Sequence, residues 1–490
     1  MSGKFSVKVL HVSPECAPLA KKGGLGDVVG ALPRALRDCG IDARVLMPAW
    51  PGVLDTAREK FYLSVRPVAK VHVSLNWRVL SANVWRASVN KLPIYILEND
   101  ELFSDAGIYP EDQNAESAES MIFLSYAAFE LSHAINWKPV IIHAHDWPSA
   151  VIPSALRWHR HYKSMAHDFD TVFTIHNMAH QGLFKPEDLN GWGIMPEAFK
   201  AMAPGSLEFY GLVNLLKGAI DNSEAFTTVS PRYADDIQTR DGGKGLEGVV
   251  SSNAHKLHGI LNGIDCTVWN PRIDKLIPVN YSSDDLSGKK KCREQIMREF
   301  GWEDDGRPIL TFVGRLTEQK GVDIMLPALA DFVPNFARTI IVGSGSEYFN
   351  RALSEFQSGR EDSVHTVACF SEEDAHRAYA ASDILLMPSL FEPCGLSQLI
   401  AFAYGTVPTA RATGGLADTV KDADADNDGD GFLFYDYSTT GLCDAIERAL
   451  AAKKDDARWH EIMLRGMKKD LSWRLSAEKY ADLYKSIIDS

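Results

Sequence analysis

The chain lacks an excess of basic residues, a paired-cysteine motif and any apolar run of membrane-spanning length, and each absence removes a class of function. Lysine and arginine number 51 against 65 aspartates and glutamates, a formal charge of −14. Such a surface repels nucleic acid and anionic membranes, so neither is expected as a partner, and clustered positive charge would be local and purposeful. The seven cysteines, Cys16, Cys39, Cys266, Cys292, Cys369, Cys394 and Cys443, are scattered, odd in number and free of any Cys-x-x-Cys pair. That pattern suits reduced thiols better than a disulfide framework. Without a long apolar stretch, and with residues 1–6 leading straight into a strand-like run, a cytoplasmic location is expected.

What is present fits a large globular protein. At 490 residues the chain exceeds the size at which one core keeps growing, so two domains are expected. Short apolar runs at 7–12, 43–47, 93–97, 140–143, 172–175 and 225–229 read as buried strands, with helical patterns at 119–136 and 214–222. Residues 61–97 alternate more and predict hairpins beside the main sheet. The second half repeats the rhythm at 309–313, 339–342, 364–368, 384–387, 407–409 and 432–434. The pattern predicts two doubly wound parallel sheets, a polar linker over 270–291 and a last helix over 476–488 that crosses back onto the first domain.

Two glycine-rich turns stand out: Lys21-Lys22-Gly23-Gly24-Leu25-Gly26-Asp27 and Thr413-Gly414-Gly415-Leu416-Ala417-Asp418. Each follows a strand and opens a helix, so unsatisfied N–H groups and the positive helix end converge on an anion such as phosphate. Their recurrence at opposite ends of the chain suggests two βα domains facing one cleft. A third loop, Gly314-Arg315-Leu316-Thr317-Glu318-Gln319-Lys320-Gly321, puts Arg315 and Lys320 after a buried strand. Taken alone they read as a surface ion pair; at a strand's C-terminal end they are suited to stabilise a departing diphosphate. Phe391-Glu392-Pro393-Cys394-Gly395-Leu396 follows another strand. There the Glu392 carboxylate can accept hydrogen bonds from sugar hydroxyls, and the Gly395 and Leu396 N–H groups can meet sugar or phosphate oxygens. Cys394 reads as a small buried thiol rather than a nucleophile.

With His143-Ala144-His145-Asp146-Trp147, Thr174-Ile175-His176-Asn177 and Leu261-Asn262-Gly263-Ile264-Asp265, these motifs occur in an order that resembles bacterial glycogen synthases and plant starch synthases, essentially end to end. The resemblance implies the GT-B fold, an α/β architecture of two Rossmann-like domains facing an interdomain cleft. Its boundaries here would be 1–265, 266–472 and a crossing helix at 473–490. It implies transfer of glucose from ADP-glucose to the non-reducing end of an α-1,4-glucan such as glycogen, with retention of configuration, no cofactor and no catalytic metal. Lys21 with Gly23 and Gly24 would meet the diphosphate, and Arg315 and Lys320 would grip it. Glu392 would hold glucose hydroxyls, with Cys394, Gly395, Leu396 and the Thr413-Gly414-Gly415 turn lining the donor site. His176 would sit beside the anomeric carbon, Asp146 and Asn177 would contact glucose, and Asn262 would lie at the hinge on which the domains close.

Several positions depart from the family pattern. Lys22 stands where Thr is usual. Phe370 replaces a Tyr thought to stack on adenine, keeping the ring face but not the hydroxyl. Ile400 stands where related transferases carry a second Glu, and Gly343-Ser344-Gly345-Ser346 replaces a Gly-x-Gly-Asp turn. Two segments look like metal sites. His143-x-His145-Asp146 lacks further nearby ligands, and the acidic run Asp424-x-Asp426-x-Asp428-Gly429 has Tyr435 where calcium needs a bidentate Glu, so a solvated loop is expected. A UDP-glucose-dependent or small-acceptor glucosyltransferase and a catalytically silent glucan-binding or initiation scaffold remain the alternatives. A phosphorylase is disfavoured because no lysine-centred pyridoxal phosphate signature is evident.

Overall fold

The computed structural model describes residues 7–104, 107–109, 115–369 and 371–489. The chain divides into two compact units, Met1–Asn262 with Trp473–Ser490, and Gly263–Ser472. Among the described residues no helix is long and apolar enough to cross a membrane.

The first unit is built on a ten-stranded sheet. Its parallel part runs Leu257–Gly259, Ala225–Thr228, Asp170–Ile175, Ile141–His145, Val7–Val12, Ile41–Pro48 and Leu92–Glu98. The central members are buried along most of their length, Lys8 being exposed and Arg44 half-buried, as expected of strands covered on both faces. Arg78–Val89 then pairs antiparallel with Leu92–Glu98 and carries Ala69–Leu75 and Tyr62–Leu63, so the alternating stretch forms the expected hairpins. Helix Leu215–Asn222 starts where the pattern placed it, its Asn214 side chain accepting from the Lys217 N–H at 2.9 Å. The C-terminal helix Arg474–Ile488 begins slightly earlier than expected. Its Ala477, Tyr480, Ala481 and Tyr484 share a buried cluster with Val28, Leu32 and Leu36 of helix Gly24–Asp38 and with strand residues Val9 and Ala43.

The second unit has a six-stranded, wholly parallel sheet ordered Val364–Val367, Arg338–Val342, Ile309–Val313, Ile384–Met387, Val407–Arg411 and Phe432–Phe434. Both faces are covered, because two separate apolar clusters claim alternate residues of the same strands. Ile309 and Val313 belong to one, Leu310 and Phe312 to the other. Chain order reverses between Ile309–Val313 and Ile384–Met387, the kind of switch point at which open α/β sheets take ligands.

Candidate active site

In the first unit, three adjacent parallel strands deliver the candidate residues to one edge of the sheet. Val7–Val12 leads to the Lys21 turn, Ile141–His145 to Asp146, and Asp170–Ile175 to His176. Asp146 has φ 55° and ψ −177°, backbone that a residue with a Cβ rarely adopts. Two sets of hydrogen bonds hold it there. Its own N–H donates to Thr174 O at 2.9 Å, and its carboxylate accepts the His176 N–H at 2.7 Å and the Asn177 N–H at 3.4 Å. Burial pushes the Asp146 carboxyl up to about 7, the two N–H groups pull it down less strongly, and the charge of Glu15 adds to the rise. The His176 imidazole is pushed down to about 3 by burial, so it stands neutral. Asn177 caps its own turn, Oδ1 accepting from Ala179 N–H at 3.0 Å.

The first glycine turn differs in detail from its expected role. Helix Gly24–Asp38 does start there, but Lys22 and Gly23 donate their N–H groups to Glu15 Oε2 at 2.6 and 3.0 Å, and Tyr109 donates its hydroxyl to Oε1 at 2.6 Å. A buried carboxylate of the chain itself thus takes the Gly23 N–H assigned to the diphosphate, along with that of Lys22. Gly24 and Leu25, the first residues of the helix, retain N–H groups without intrahelical acceptors. Lys21 Nζ lies 2.7 Å from Asp27, an ion pair about one-third exposed. Glu15 carried no motif signal; only its place between a strand and a glycine turn could have marked it.

In the second unit, the loops after Ile309–Val313, Ile384–Met387 and Val407–Arg411 converge. Lys320 Nζ lies 2.5 Å from Glu392 Oε2, and Ser389 Oγ donates to the same oxygen at 3.1 Å. Glu392 is 5% exposed. Arg315 is exposed and has no ion pair among the described residues. Glycines set these distances. At Gly321, φ is 73° and a Cβ would lie 2.0 Å from Pro388 O; at Gly414, φ is 45° and a Cβ would lie 2.0 Å from Glu392 O. Gly415 donates its N–H to Glu392 O at 3.0 Å. The Thr413-Gly414-Gly415 turn therefore supports the Glu392-Pro393-Cys394 backbone, and the helix it opens, Gly414–Thr419, is only six residues long. Gln398, to which the sequence assigns no role, holds the other side, donating Nε2 to Cys394 O at 3.0 Å and to Gly395 O at 2.9 Å. Leu396 is partly buried at the end of this loop, and Cys394 is buried.

Asn262 is partly buried, and its Oδ1 has no partner among the described residues. Ile400 packs in the second unit's core. Gly343 runs against Gly314, a Cβ there meeting Gly314 O at 1.8 Å, so the replaced turn still braces the Arg315 loop. Phe370 lies outside the described residues. The acidic run is exposed, and its Asp424 is also ion-paired: Arg448 Nη1 lies 2.9 Å from Asp424 and 3.0 Å from the preceding Asp422, and Arg458 pairs with Asp424 as well. Three buried imidazoles, His11, His143 and His145, set nitrogens within 4.8 Å of one another. Both nitrogens of His143 and both of His145 are nevertheless occupied, by Tyr484 and Thr174 and by His11 and His176.

Comparison with known proteins identifies the family. Residues 8–252 match the family described as starch synthase catalytic domain, and residues 293–463 match glycosyl transferases group 1. Glycogen synthase 2 of Geobacter metallireducens is 40% identical over 489 residues, covering 99% of each chain. The glycogen synthase of Anaeromyxobacter sp. is 39% identical over 484 residues, 98% of this chain and 99% of that one. Among solved structures, the catalytic domain of starch synthase IV from Arabidopsis thaliana, bound to ADP and acarbose, superposes with a TM-score of 0.91 at 31% identity, covering 99% of this chain and 100% of that one.

Proposed function

The chain belongs to the glycogen and starch synthase family of GT-B glycosyltransferases, and from that premise we propose that its donor is ADP-glucose and its acceptor the non-reducing end of an α-1,4-glucan, with the anomeric configuration retained. The observation that carries the reading is the joint presence of an exposed Arg315, without an ion pair among the described residues, and a largely buried Lys320–Glu392 pair on loops at one switch point. A cation without an internal partner is available to a phosphate, and a compensated carboxylate is available to hydroxyls.

The bond between the anomeric carbon and the diphosphate oxygen breaks heterolytically, leaving positive charge on the glucosyl ring and negative charge on ADP. Arg315 and Lys320 stabilise the departing diphosphate, and Lys21 adds a further charge. Glu392 orients glucose hydroxyls. His176 and Asp146 act at the sugar, Asp146 fixing the His176 and Asn177 backbone through their N–H groups. The acceptor 4-hydroxyl forms the new bond from the face the diphosphate leaves, and its proton passes to a diphosphate oxygen. Seven free cysteines accord with work in a reducing cytoplasm. Purified protein incubated with glycogen and labelled nucleotide sugar should incorporate glucose faster from ADP-glucose than from UDP-glucose. Preference for UDP-glucose would overturn the donor, and absence of incorporation from either would favour a silent glucan-binding scaffold.

A further inference from the structure

Behind His176 lies a file of histidines that the reaction as written does not use. His176 Nε2 is 3.0 Å from His145 Nδ1, and His145 Nε2 is 3.0 Å from His11 Nδ1. His145 and His11 are fully buried. Beyond them the file stops, because His11 Nε2 is buried with no hydrogen-bond partner among the described residues. At the other end, His176 is only partly buried and its Nδ1 has no hydrogen-bond partner among the described residues. A second chain packs alongside. The His143 ring stacks at 4.2 Å on His145, and its own nitrogens bond Tyr484 Oη at 2.7 Å and Thr174 Oγ1 at 2.6 Å. His145 therefore cannot turn away from its two partners.

Parity sets the direction of the file. A neutral imidazole carries one N–H and one lone pair, so two linked rings fix the third. If protons pointed inward, from His176 toward His11, the file would end in an unpaired N–H at His11 Nε2. If they point outward, it ends there in an unpaired lone pair. A buried N–H without an acceptor is the rarer and costlier of the two. Burial lowers His11 to about 3 and depresses His145 as well, consistent with rings that stay neutral.

We propose that His145 and His11 are positioning residues that hold His176 as a single tautomer with its proton on Nδ1, so that the ring presents a hydrogen-bond donor, not a lone pair, to the donor sugar. Water favours the opposite tautomer of a free histidine, so the file is what selects this one. That His176 faces a sugar rests on the function proposed above; the tautomer itself does not.

The full-length protein labelled with 15N-histidine gives a direct test. A long-range 1H–15N correlation spectrum, with the His176 signals assigned by their loss in His176→Ala, should show pyrrole-type Nδ1 and pyridine-type Nε2 without any ligand. Pyrrole-type Nε2, or averaging between tautomers, overturns the proposal. His145→Asn puts an amide N–H near the place of Nδ1 and should keep both tautomer and turnover. His145→Phe keeps the stacked ring but not the hydrogen bonds, and should lose the tautomer and lower kcat by roughly tenfold or more with little change in the acceptor KM. Unchanged kcat after loss of the tautomer would remove the file from catalysis. If the spectrum is as expected but no nucleotide sugar supports transfer, the functional reading falls and the tautomer stands.

Discussion

Lys320 Nζ and Glu392 Oε2 lie 2.5 Å apart, although 71 residues and three strands of the sheet lie between them in the chain. The sequence reading gave the two residues different tasks, diphosphate for one and sugar for the other. In the structure each is also the other's counter-charge. Removing one partner of such a pair leaves a poorly hydrated charge behind, so their mutational effects are coupled.

Lys320→Ala should therefore lower both turnover and stability, the latter by about 3 kcal/mol, because Glu392 is left uncompensated. Lys320→Ala with Glu392→Gln should recover most of the stability but none of the turnover. Denaturant unfolding of the single and double variants checks this; strict additivity would mean that the pair is not coupled.

Arg315 has no such internal duty. Arg315→Ala should cut kcat on the order of a hundredfold while the melting temperature stays within about a degree of wild type, since exposed substitutions away from special features are nearly neutral. Turnover close to normal at saturating donor would remove Arg315 from the reaction.

Asp146 predicts a pH dependence. Its folded pKa of about 7 lies above the ordinary carboxyl value, so the native state binds the proton more tightly than the unfolded chain. Its contribution to stability is most favourable at low pH and declines as pH rises through 7. The carboxylate that accepts the His176 and Asn177 N–H groups is populated in the same interval. Activity should consequently rise through about pH 7 while this part of the stability falls. Asp146→Asn should abolish both dependences, which paired rate and unfolding profiles would show.

The acidic loop should be indifferent to calcium. Asp422 and Asp424 already face Arg448, and Asp424 faces Arg458 too. Millimolar calcium is expected to leave the melting temperature unchanged, whereas Arg448→Ala should lower it by about 1–3 kcal/mol worth of stability through the unpaired carboxylates. A clear rise with calcium in the native protein would contradict the ion-paired assignment.

Most strands of both sheets were legible because buried parallel strands are largely apolar runs, as in Val7–Val12 and Ile309–Val313, whereas the three-residue strand Leu257–Gly259 is too short to leave such a run. Asp146, His176, Arg315 and Glu392 were legible for a related reason: each follows such a run. What stayed hidden depends on contacts between distant segments. Glu15 meets Tyr109, His11 meets His145, and Gln398 fills the space beneath Gly395, none of which leaves a local pattern. The glycines of 413–415 were visible as a turn but not as a platform for Glu392, since close backbone approach looks in sequence like any other glycine turn.

The central claim is retaining glucosyl transfer from ADP-glucose to an α-glucan, and proton NMR of the products formed from ADP-α-glucose and a short maltooligosaccharide tests it most directly. The expected outcome is an oligosaccharide extended at its non-reducing end through a new α-1,4 linkage, one ADP released per glucose added, and no signal of this kind from Arg315→Ala in the same time. A β-linked product, release of free glucose as the main course, or an unchanged acceptor in the presence of intact donor would contradict it.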